Sequence, residues 1–274
     1  MSNFELVLRC PACQSGWPNF HIELQCACGF QVKAIEGIPI LRATQANERL
    51  DYYSGQKLLN RINSKNVGIP RINNAFARND LMLELGAGVD VCNAPNLVKT
   101  DAFIYSSQLD YVVDAHCMPF EDNSFDFVFS LAVFEHLYAP WVAAKEIFRV
   151  LRPGGRVYIL TAFMQHMHGY PYHYFNMTTM GLREIFKDFE IIKCMPSPHC
   201  PLTQIGHIMD DLGKMTDALP ANPTAQELKM HLSKASQLIP MVQGQLIKKE
   251  SNFDLWQQIA PGVELFARKP AAEI

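Results

Sequence analysis

Long apolar runs are absent from this chain of 274 residues. No segment approaches the roughly 20 consecutive apolar residues that cross a bilayer, so the sequence predicts no membrane span. The opening residues, MSNFELVLRC, also lack the charged-then-apolar order of a secretory signal. These two absences lead us to expect a cytoplasmic protein.

An excess of basic residues is missing too. The chain has 24 Lys and Arg against 27 Asp and Glu, with a formal net charge of −3 and a pI near 6.3. This balance does not indicate the basic surface of a strong nucleic-acid binder, although a local basic patch stays open. The length allows one large domain or one domain with appendages, and nothing in the composition indicates an oligomeric state.

Cysteine is present and unevenly placed, because four of the eight cysteines stand near the start of the chain. Cys10 and Cys13 form a Cys-x2-Cys pair, and Cys26 and Cys28 form a tighter Cys-x-Cys pair. Two close pairs on separate turns can converge tetrahedrally on zinc, whereas the alternative is a set of unligated thiols. We predict a zinc-ribbon-like segment over residues 1–42 with a structural zinc, since so small a unit could hardly fold without one.

Two further regions follow the cysteines. Residues 43–79 are polar with apolar positions at helical spacing, which predicts a helical linker. From residue 80, apolar β-branched strands alternate with helices, which predicts an α/β domain over 80–274 with a mostly parallel sheet covered on both faces. A mostly helical pattern over about 202–258 predicts an insertion before the last strand.

The segment LMLELGAGVD at residues 81–90 combines a buried strand with a tight turn. Apolar residues lead to Glu84, and then Gly86 and Gly88 bracket an alanine. Such a turn lets a nucleotide-like cofactor lie against bare backbone at the carboxyl edge of the sheet. Alone, the pattern is equally typical of an ordinary strand-to-helix turn.

The glycine turn is the first of four sequence elements that together indicate more than the turn alone. ELGAG ends the first strand and Asp101 the second, DAHCMPFEDNSFDFVFSLAVFEHL begins at Asp114, and RVLRPGG precedes the fifth strand. Over about residues 80–195 the chain resembles the S-adenosylmethionine-dependent methyltransferases of the seven-stranded Rossmann-like fold, and within them the type 11 group. The N-terminal segment is similar to the short zinc ribbon that precedes some bacterial methyltransferase domains.

The resemblance implies a site for S-adenosylmethionine at the carboxyl edge. Glu84 would meet the α-ammonium of the methionine end, and Asp101 would accept hydrogen bonds from the ribose hydroxyls. Asp114 would bind the adenine amino group. For Asp101 the alternative is a role as a turn or cap residue. The implied cofactor-binding set is Glu84, Gly86, Gly88, Asp101, Asp114, Ala115, Ser130 and Leu131.

One departure from the family pattern concerns the first helix. The stretch between Glu84 and Asp101 is too short for the helix of a full βαβ unit of about thirty residues. Pro95 also cannot stand inside a helix without breaking it. We therefore predict a shortened helix or a loop, and this keeps a non-catalytic interpretation open.

Histidines gather in the segments after the fourth and fifth predicted strands. His136 follows strand four, and His166, His168 and His173 follow strand five. Since both segments leave the carboxyl edge, we predict His173 as a general base, with His136 as the second catalytic candidate. The alternative is a packed aromatic lid whose histidines have ordinary hydrogen-bond partners.

Three functional hypotheses follow. The first is methyl transfer to a small molecule, a sugar or a lipid-linked saccharide. The second is RNA methylation, because a four-cysteine unit also precedes this fold in a bacterial rRNA guanine methyltransferase. The acidic pI and the absence of an Asn/Asp-Pro-Pro-Tyr/Phe signature after strand four, where SLAVFEHL stands, speak against it. The third is a binding or scaffold protein with a degenerate fold.

Overall fold

A computed structural model describes most of the chain. The described residues are 6–17, 19–21, 23–43, 69–88, 94–104, 108–169, 172–197, 201–246 and 258–271. Most of the predicted helical linker over 43–79 lies outside them.

The secondary structure follows the predicted alternation of strands and helices. The strands are β1 (Leu8–Arg9), β2 (Gly16–Trp17), β3 (Lys33–Ile35), β4 (Ile38–Leu41), β5 (Met82–Leu85), β6 (Leu97–Asp101), β7 (Tyr111–Val113), β8 (Phe125–Leu131), β9 (Leu151–Ala162), β10 (Glu190–Pro196) and β11 (Gly262–Arg268). The α-helices are α1 (Pro70–Ala77), α2 (Pro140–Val150), α3 (Thr179–Ile185), α4 (Pro201–Met215) and α5 (Pro223–Leu246), with 3-10 turns at Phe134–His136 and Thr216–Ala218.

Nine strands form the central sheet, in the order β10-β11-β9-β8-β5-β6-β7-β4-β3. The pairs from β9 to β4 are parallel, whereas β11 runs antiparallel to both of its neighbours. The strand order reverses between β5 and β8, which is where open α/β sheets bind ligands. The predicted α/β fold with a mostly parallel, Rossmann-like sheet is therefore confirmed.

The central strands are apolar on both faces because helices cover both sides of the sheet. Alternate residues of β5 enter separate cores: Leu83 packs in the cluster that contains Ile147 of α2. Met82 packs in the opposite cluster with Ile72 of α1. This two-sided burial is typical of parallel strands, and it explains why LMLEL shows no polar alternation.

The N-terminal segment contributes two strands to this sheet. A tight turn at Glu36 and Gly37, both with positive φ, joins β3 to β4. Strand β4 then pairs in parallel with β7, through Ile40 opposite Val112. The seven predicted strands are all present, and the hairpin extends them to nine.

Helices α4 and α5 occupy much of the region predicted as a helical insertion, and they pack together. A side chain at Gly206 would lie 3.3 Å from Ile239, so the two helices approach closely there. The predicted shortening of the first helix falls largely on residues 89–93, outside the described part of the chain. Among the helices that the structure describes, none combines the length and apolar character of a membrane span.

Candidate functional site

Glu84 lies in β5 with its carboxyl group buried. Only 5% of the residue is exposed, and Oε2 has no hydrogen-bond partner among the described residues. Burial raises the pKa of Glu84 to about 8, against the opposing effect of the Lys99 charge. A buried carboxyl oxygen without a donor is costly, and an ammonium group of a ligand would supply both the donor and the charge.

The two glycines after β5 serve different purposes. Both have positive φ, 77° for Gly86 and 56° for Gly88. A Cβ at Gly86 would lie 2.1 Å from Cγ2 of Val133, so packing within the protein requires this glycine. Among the described residues, a Cβ at Gly88 would meet no atom within 4 Å. Gly88 is thus the position where a ligand can approach the backbone.

Asp101 ties the end of β6 to this glycine turn. Its Oδ2 accepts a hydrogen bond from the Gly88 amide, and its Oδ1 accepts one from the Phe103 amide, both at 2.9 Å. Burial raises the pKa of Asp101 to about 6, although these hydrogen bonds lower it. Each carboxylate oxygen has a second lone pair, so this turn role is compatible with accepting ribose hydroxyls.

Asp114 is held by the residue two positions along the chain. Its Oδ1 accepts from the backbone amide of His116 at 2.9 Å and from His116 Nδ1 at 2.7 Å. Burial opposes the shift, but the His116 hydrogen bonds keep the pKa of Asp114 below its usual value. The His116 ring also stacks on Tyr138 at 4.0 Å. Half-buried Ala115 lies between Asp114 and His116, and the hydrogen bonds from His116 orient the Asp114 carboxylate.

Arg42 reaches the same edge from the N-terminal hairpin. Its Nη1 donates to the Ala102 carbonyl at 2.7 Å, and its guanidinium lies 5.7 Å from the centre of the Phe103 ring. Its positive charge lowers the pKa of both Asp101 and Asp114. Arg42 is not among the residues predicted for the site, and its only signal in the sequence is a cation directly after the strand IPIL.

Ser130 and Leu131 close the edge between β5 and β8. The buried Ser130 hydroxyl donates to the Leu85 carbonyl at 3.1 Å. Leu131 is half-buried, and Ala132 then adopts a φ of 56°, which turns the chain away from the strand. The Ser130 hydroxyl therefore makes its hydrogen bond within the sheet.

Three of the four histidines singled out by the sequence meet in one cluster. The ring centres of His136 and His168 lie 5.0 Å apart, and His173 lies 5.6 Å and 4.5 Å from them. Glu135, fully buried, faces His168 with 3.8 Å between Oε1 and Nε2, too far for a hydrogen bond. The cluster contains both predicted catalytic residues, His136 and His173.

The histidines of the cluster differ in which ring nitrogens have hydrogen-bond partners among the described residues. His173 accepts a hydrogen bond from the His168 amide at Nδ1, and its Nε2 lies 2.9 Å from Asn176 Oδ1, so both ring nitrogens are engaged. His136 uses Nδ1 toward the Tyr172 carbonyl at 2.8 Å. Burial lowers the pKa of His136, which favours the neutral imidazole with a lone pair at Nε2.

The four N-terminal cysteines converge. Sγ of Cys10 lies 3.6 Å from Sγ of Cys28, and Sγ of Cys13 lies 3.6 Å from Sγ of Cys26. All four sulfurs lie within 4.8 Å of one another. A tetrahedron with Zn–S bonds of about 2.3 Å has edges of about 3.8 Å, so the donor set fits zinc. The Cys28 amide and the Ser15 hydroxyl lower the pKa of Cys26 to about 6.

The cysteine knuckles also contact the segment that follows Asp114. Gln14 Nε2 donates to Cys117 Sγ at 3.1 Å, and Cys117 Sγ donates to the Pro11 carbonyl at 3.3 Å. The Arg9 amide donates to the Pro119 carbonyl at 2.9 Å. The N-terminal segment therefore contacts the residues that directly follow the proposed adenine-binding turn.

Known proteins match the part of the chain that carries this site. Residues 83–159 match the family model described as "Methyltransferase domain". The ubiquinone/menaquinone biosynthesis C-methyltransferase of Roseobacter denitrificans is 42% identical over 64 residues, which are 23% of this chain and 25% of that protein. The match thus spans about a quarter of the relative's length.

Two of the solved structures that align with this chain have different named activities. The [4+2]-cyclase SpnF aligns with a TM-score of 0.43 and 18% identity, over 74% of this chain and 81% of its own. The phosphoethanolamine N-methyltransferase 2 of Haemonchus contortus, bound to S-adenosyl-L-methionine, aligns with a TM-score of 0.39 and 18% identity, over 69% of this chain and 48% of its own. Residues 83–159 are thus similar to a methyltransferase domain, and they include Glu84, Asp101 and Asp114.

Proposed function

We propose that the protein transfers a methyl group from S-adenosylmethionine to a small molecule, a sugar or a lipid-linked saccharide. The observation that carries the proposal is the buried Glu84 carboxyl, whose Oε2 has no donor among the described residues, close to the open backbone at Gly88. Bound S-adenosylmethionine supplies an electrophilic methyl group, so the protein must mainly align the reactants and exclude water.

Each cofactor-site residue then has a separate task. Glu84 accepts the α-ammonium, and Asp101 accepts the ribose hydroxyls with the lone pairs that the Gly88 and Phe103 amides leave free. Asp114, oriented by His116, accepts the adenine amino group beside the Ala115 backbone. The remaining backbone contacts come from Gly86, Gly88, Ser130 and Leu131.

The histidine cluster faces the acceptor in this proposal. His136 has a lone pair at Nε2 because its Nδ1 faces a carbonyl oxygen, so it can accept a proton or bind a cation. His173 can act as a base only after its Nδ1 gives up the hydrogen bond from the His168 amide. Of the two predicted catalytic residues, His136 is thus the better prepared.

We also propose that Cys10, Cys13, Cys26 and Cys28 hold a structural zinc. The sulfur separations support it, and four protein ligands leave no open position for catalysis. Residues 1–42, 43–79 and 80–274 would then be a zinc-binding segment, a linker and the methyltransferase domain. A cytoplasmic location, where thiols stay reduced, is part of the same proposal.

The acceptor class rests on chemistry and on one relative. The named C-methyltransferase of Roseobacter denitrificans makes a small-molecule acceptor the first choice. An RNA acceptor is the alternative, since a four-cysteine unit suits either class, but the net charge of −3 gives no electrostatic support for it. A binding protein without catalysis is the third possibility, and a loss of cofactor binding would favour it.

Calorimetry with S-adenosylmethionine and S-adenosylhomocysteine tests the proposal. We expect one cofactor site per chain, weakened about tenfold or more by Glu84→Gln, because a charge-assisted hydrogen bond contributes roughly 1.5–3 kcal/mol. Glu184→Gln, on an exposed face of α3, is the matched control. No heat of binding at millimolar cofactor would overturn both enzyme hypotheses.

A further inference from the structure

A second group of potential metal ligands lies apart from the four cysteines. Glu135, His136 and His168 each offer one ligand atom, and these three atoms lie within 4.8 Å of one another. Glu135 and His136 follow β8, and His168 follows β9. Because β8 is the neighbour of β5, the group lies at the same edge of the sheet as Glu84.

The hydrogen positions on the two imidazoles follow from their backbone partners. His136 Nδ1 lies 2.8 Å from the Tyr172 carbonyl oxygen, and His168 Nδ1 lies 3.0 Å from the His166 carbonyl oxygen. A carbonyl oxygen only accepts, so each Nδ1 carries the hydrogen and each neutral ring keeps its lone pair at Nε2. Metal-binding histidines are commonly oriented by the same kind of bond from the other ring nitrogen.

Glu135 completes the set with a buried oxygen that lacks a donor. Its side chain is fully buried, and Oε2 accepts from the Thr161 hydroxyl at 2.8 Å. Oε1 has no hydrogen-bond partner among the described residues and lies 3.8 Å from His168 Nε2. A buried anionic oxygen that faces an imidazole nitrogen favours a cation between the two atoms, either a proton on Nε2 or a metal ion.

The other histidines of this region are occupied elsewhere. His173 accepts from the His168 amide at Nδ1 and contacts Asn176 Oδ1 through Nε2. His166 Nδ1 lies 2.6 Å from Gln204 Nε2, and His166 Nε2 lies 3.9 Å from Asp211 Oδ2. The described residues therefore present one carboxylate and two imidazoles at this point, with three atoms available for coordination.

We propose that Glu135, His136 and His168 bind one divalent first-row transition-metal ion. Two imidazoles and a carboxylate suit zinc, manganese or iron(II), and three protein ligands leave positions open for other donors. An oxygen of the methyl acceptor would take an open position, where the positive charge lowers its pKa. This second part rests on the proposed function, whereas metal binding does not. His136 is then a ligand and not a base.

Manganese(II) is the probe that separates this site from the cysteines. Manganese prefers nitrogen and oxygen ligands to thiolates, so the cysteine cluster does not compete. The full chain, with its zinc content measured first, is titrated with Mn²⁺ while the free ion is followed by electron paramagnetic resonance. We expect one Mn²⁺ per chain, and at least about tenfold weaker binding for Glu135→Gln and for His168→Gln. His207→Gln, an exposed histidine on α4, is the control and should bind like the wild type.

Two parallel measurements keep the outcome clear. Circular dichroism shows whether each variant is folded, and calorimetry with S-adenosylhomocysteine reports the cofactor site. Mn²⁺ binding without cofactor binding would support the metal site and contradict the proposed function. A wild-type chain that binds no Mn²⁺, or folded Glu135→Gln and His168→Gln variants that bind it unchanged, would overturn the metal site. A protonated His168 paired with Glu135 would then explain the geometry.

Discussion

The Asp101 carboxylate accepts a hydrogen bond of 2.9 Å from the Gly88 amide. This bond joins the end of β6 to the turn after β5, two points on neighbouring strands of the sheet. The aspartate that the sequence assigns to the ribose is therefore also the residue that sets the shape of the glycine turn. The two alternatives considered for Asp101, turn residue and ligand, are compatible with each other.

Asp101→Ala should accordingly affect both stability and binding. The substitution leaves the Gly88 and Phe103 amides without their acceptor, so we expect a loss of about 1–3 kcal/mol in the free energy of unfolding. Cofactor affinity should fall as well, because the turn loses its support. Urea unfolding and calorimetry measure the two effects, with exposed Asp188→Ala as control. A variant with wild-type stability would contradict the turn role.

The two glycines of the turn should separate folding from binding. Gly86→Ala places a Cβ 2.1 Å from Val133 Cγ2 and should destabilise the fold. Adding Val133→Ala removes that contact and should recover part of the loss, with the positive φ of Gly86 accounting for the rest. Gly88→Ala meets open space, so it should lose less stability but weaken cofactor binding. Thermal unfolding measures the stability of all three variants, and calorimetry measures their cofactor binding. Equal loss of stability at both glycines would contradict the separate roles of Gly86 and Gly88.

Much of the fold was predictable because its determinants are local. The apolar runs around Leu83 and Val128 indicate buried parallel strands, and the intervening helical patterns predict the crossovers. The two close cysteine pairs likewise predict that the four sulfurs meet at one point. The pairing of β4 with β7 was not predictable, since backbone hydrogen bonds between strands distant in the chain leave no mark on side-chain order.

The arrangement of the histidine cluster was only partly predictable. The sequence shows that His136 and His168 follow neighbouring strands, which predicts that they approach one another. It does not show which ring nitrogen faces a carbonyl, because that depends on the path of the segment after β9. The position of Arg42 depends in turn on the unpredicted β4–β7 pairing.

Glu84 should make the stability of the protein depend on pH. Its folded pKa of about 8 lies above the usual glutamate value of 4.5, so between these two values the folded state holds a proton that the unfolded state has lost. The contribution of Glu84 to the free energy of unfolding is therefore fully present below about pH 4.5. It is lost as the pH rises through 8. We expect Glu84→Gln to gain about 3 kcal/mol relative to the wild type between pH 5 and pH 8. Urea unfolding across this range measures it, and a constant difference would show that the carboxyl is not desolvated.

Zinc removal should weaken cofactor binding although the cysteines lie outside the cofactor site. The knuckle contacts Cys117 through Gln14 and Pro11, and Cys117 lies three residues after Asp114. Loss of the proposed zinc would free the knuckle, and the Asp114 turn would then lose its support. We expect Cys13→Ser, or prolonged chelation, to lower the melting temperature by about 5 °C or more and to reduce the affinity for S-adenosylhomocysteine.

Cys194→Ser provides the matched control, because Cys194 lies outside the cluster and donates to the Thr179 carbonyl. It should keep one zinc per chain, by metal analysis, and nearly the wild-type cofactor affinity. A Cys13→Ser protein that lost its zinc but bound S-adenosylhomocysteine like the wild type would show that the N-terminal segment does not support the adenine turn. The contacts at Cys117 would then be packing without a functional role.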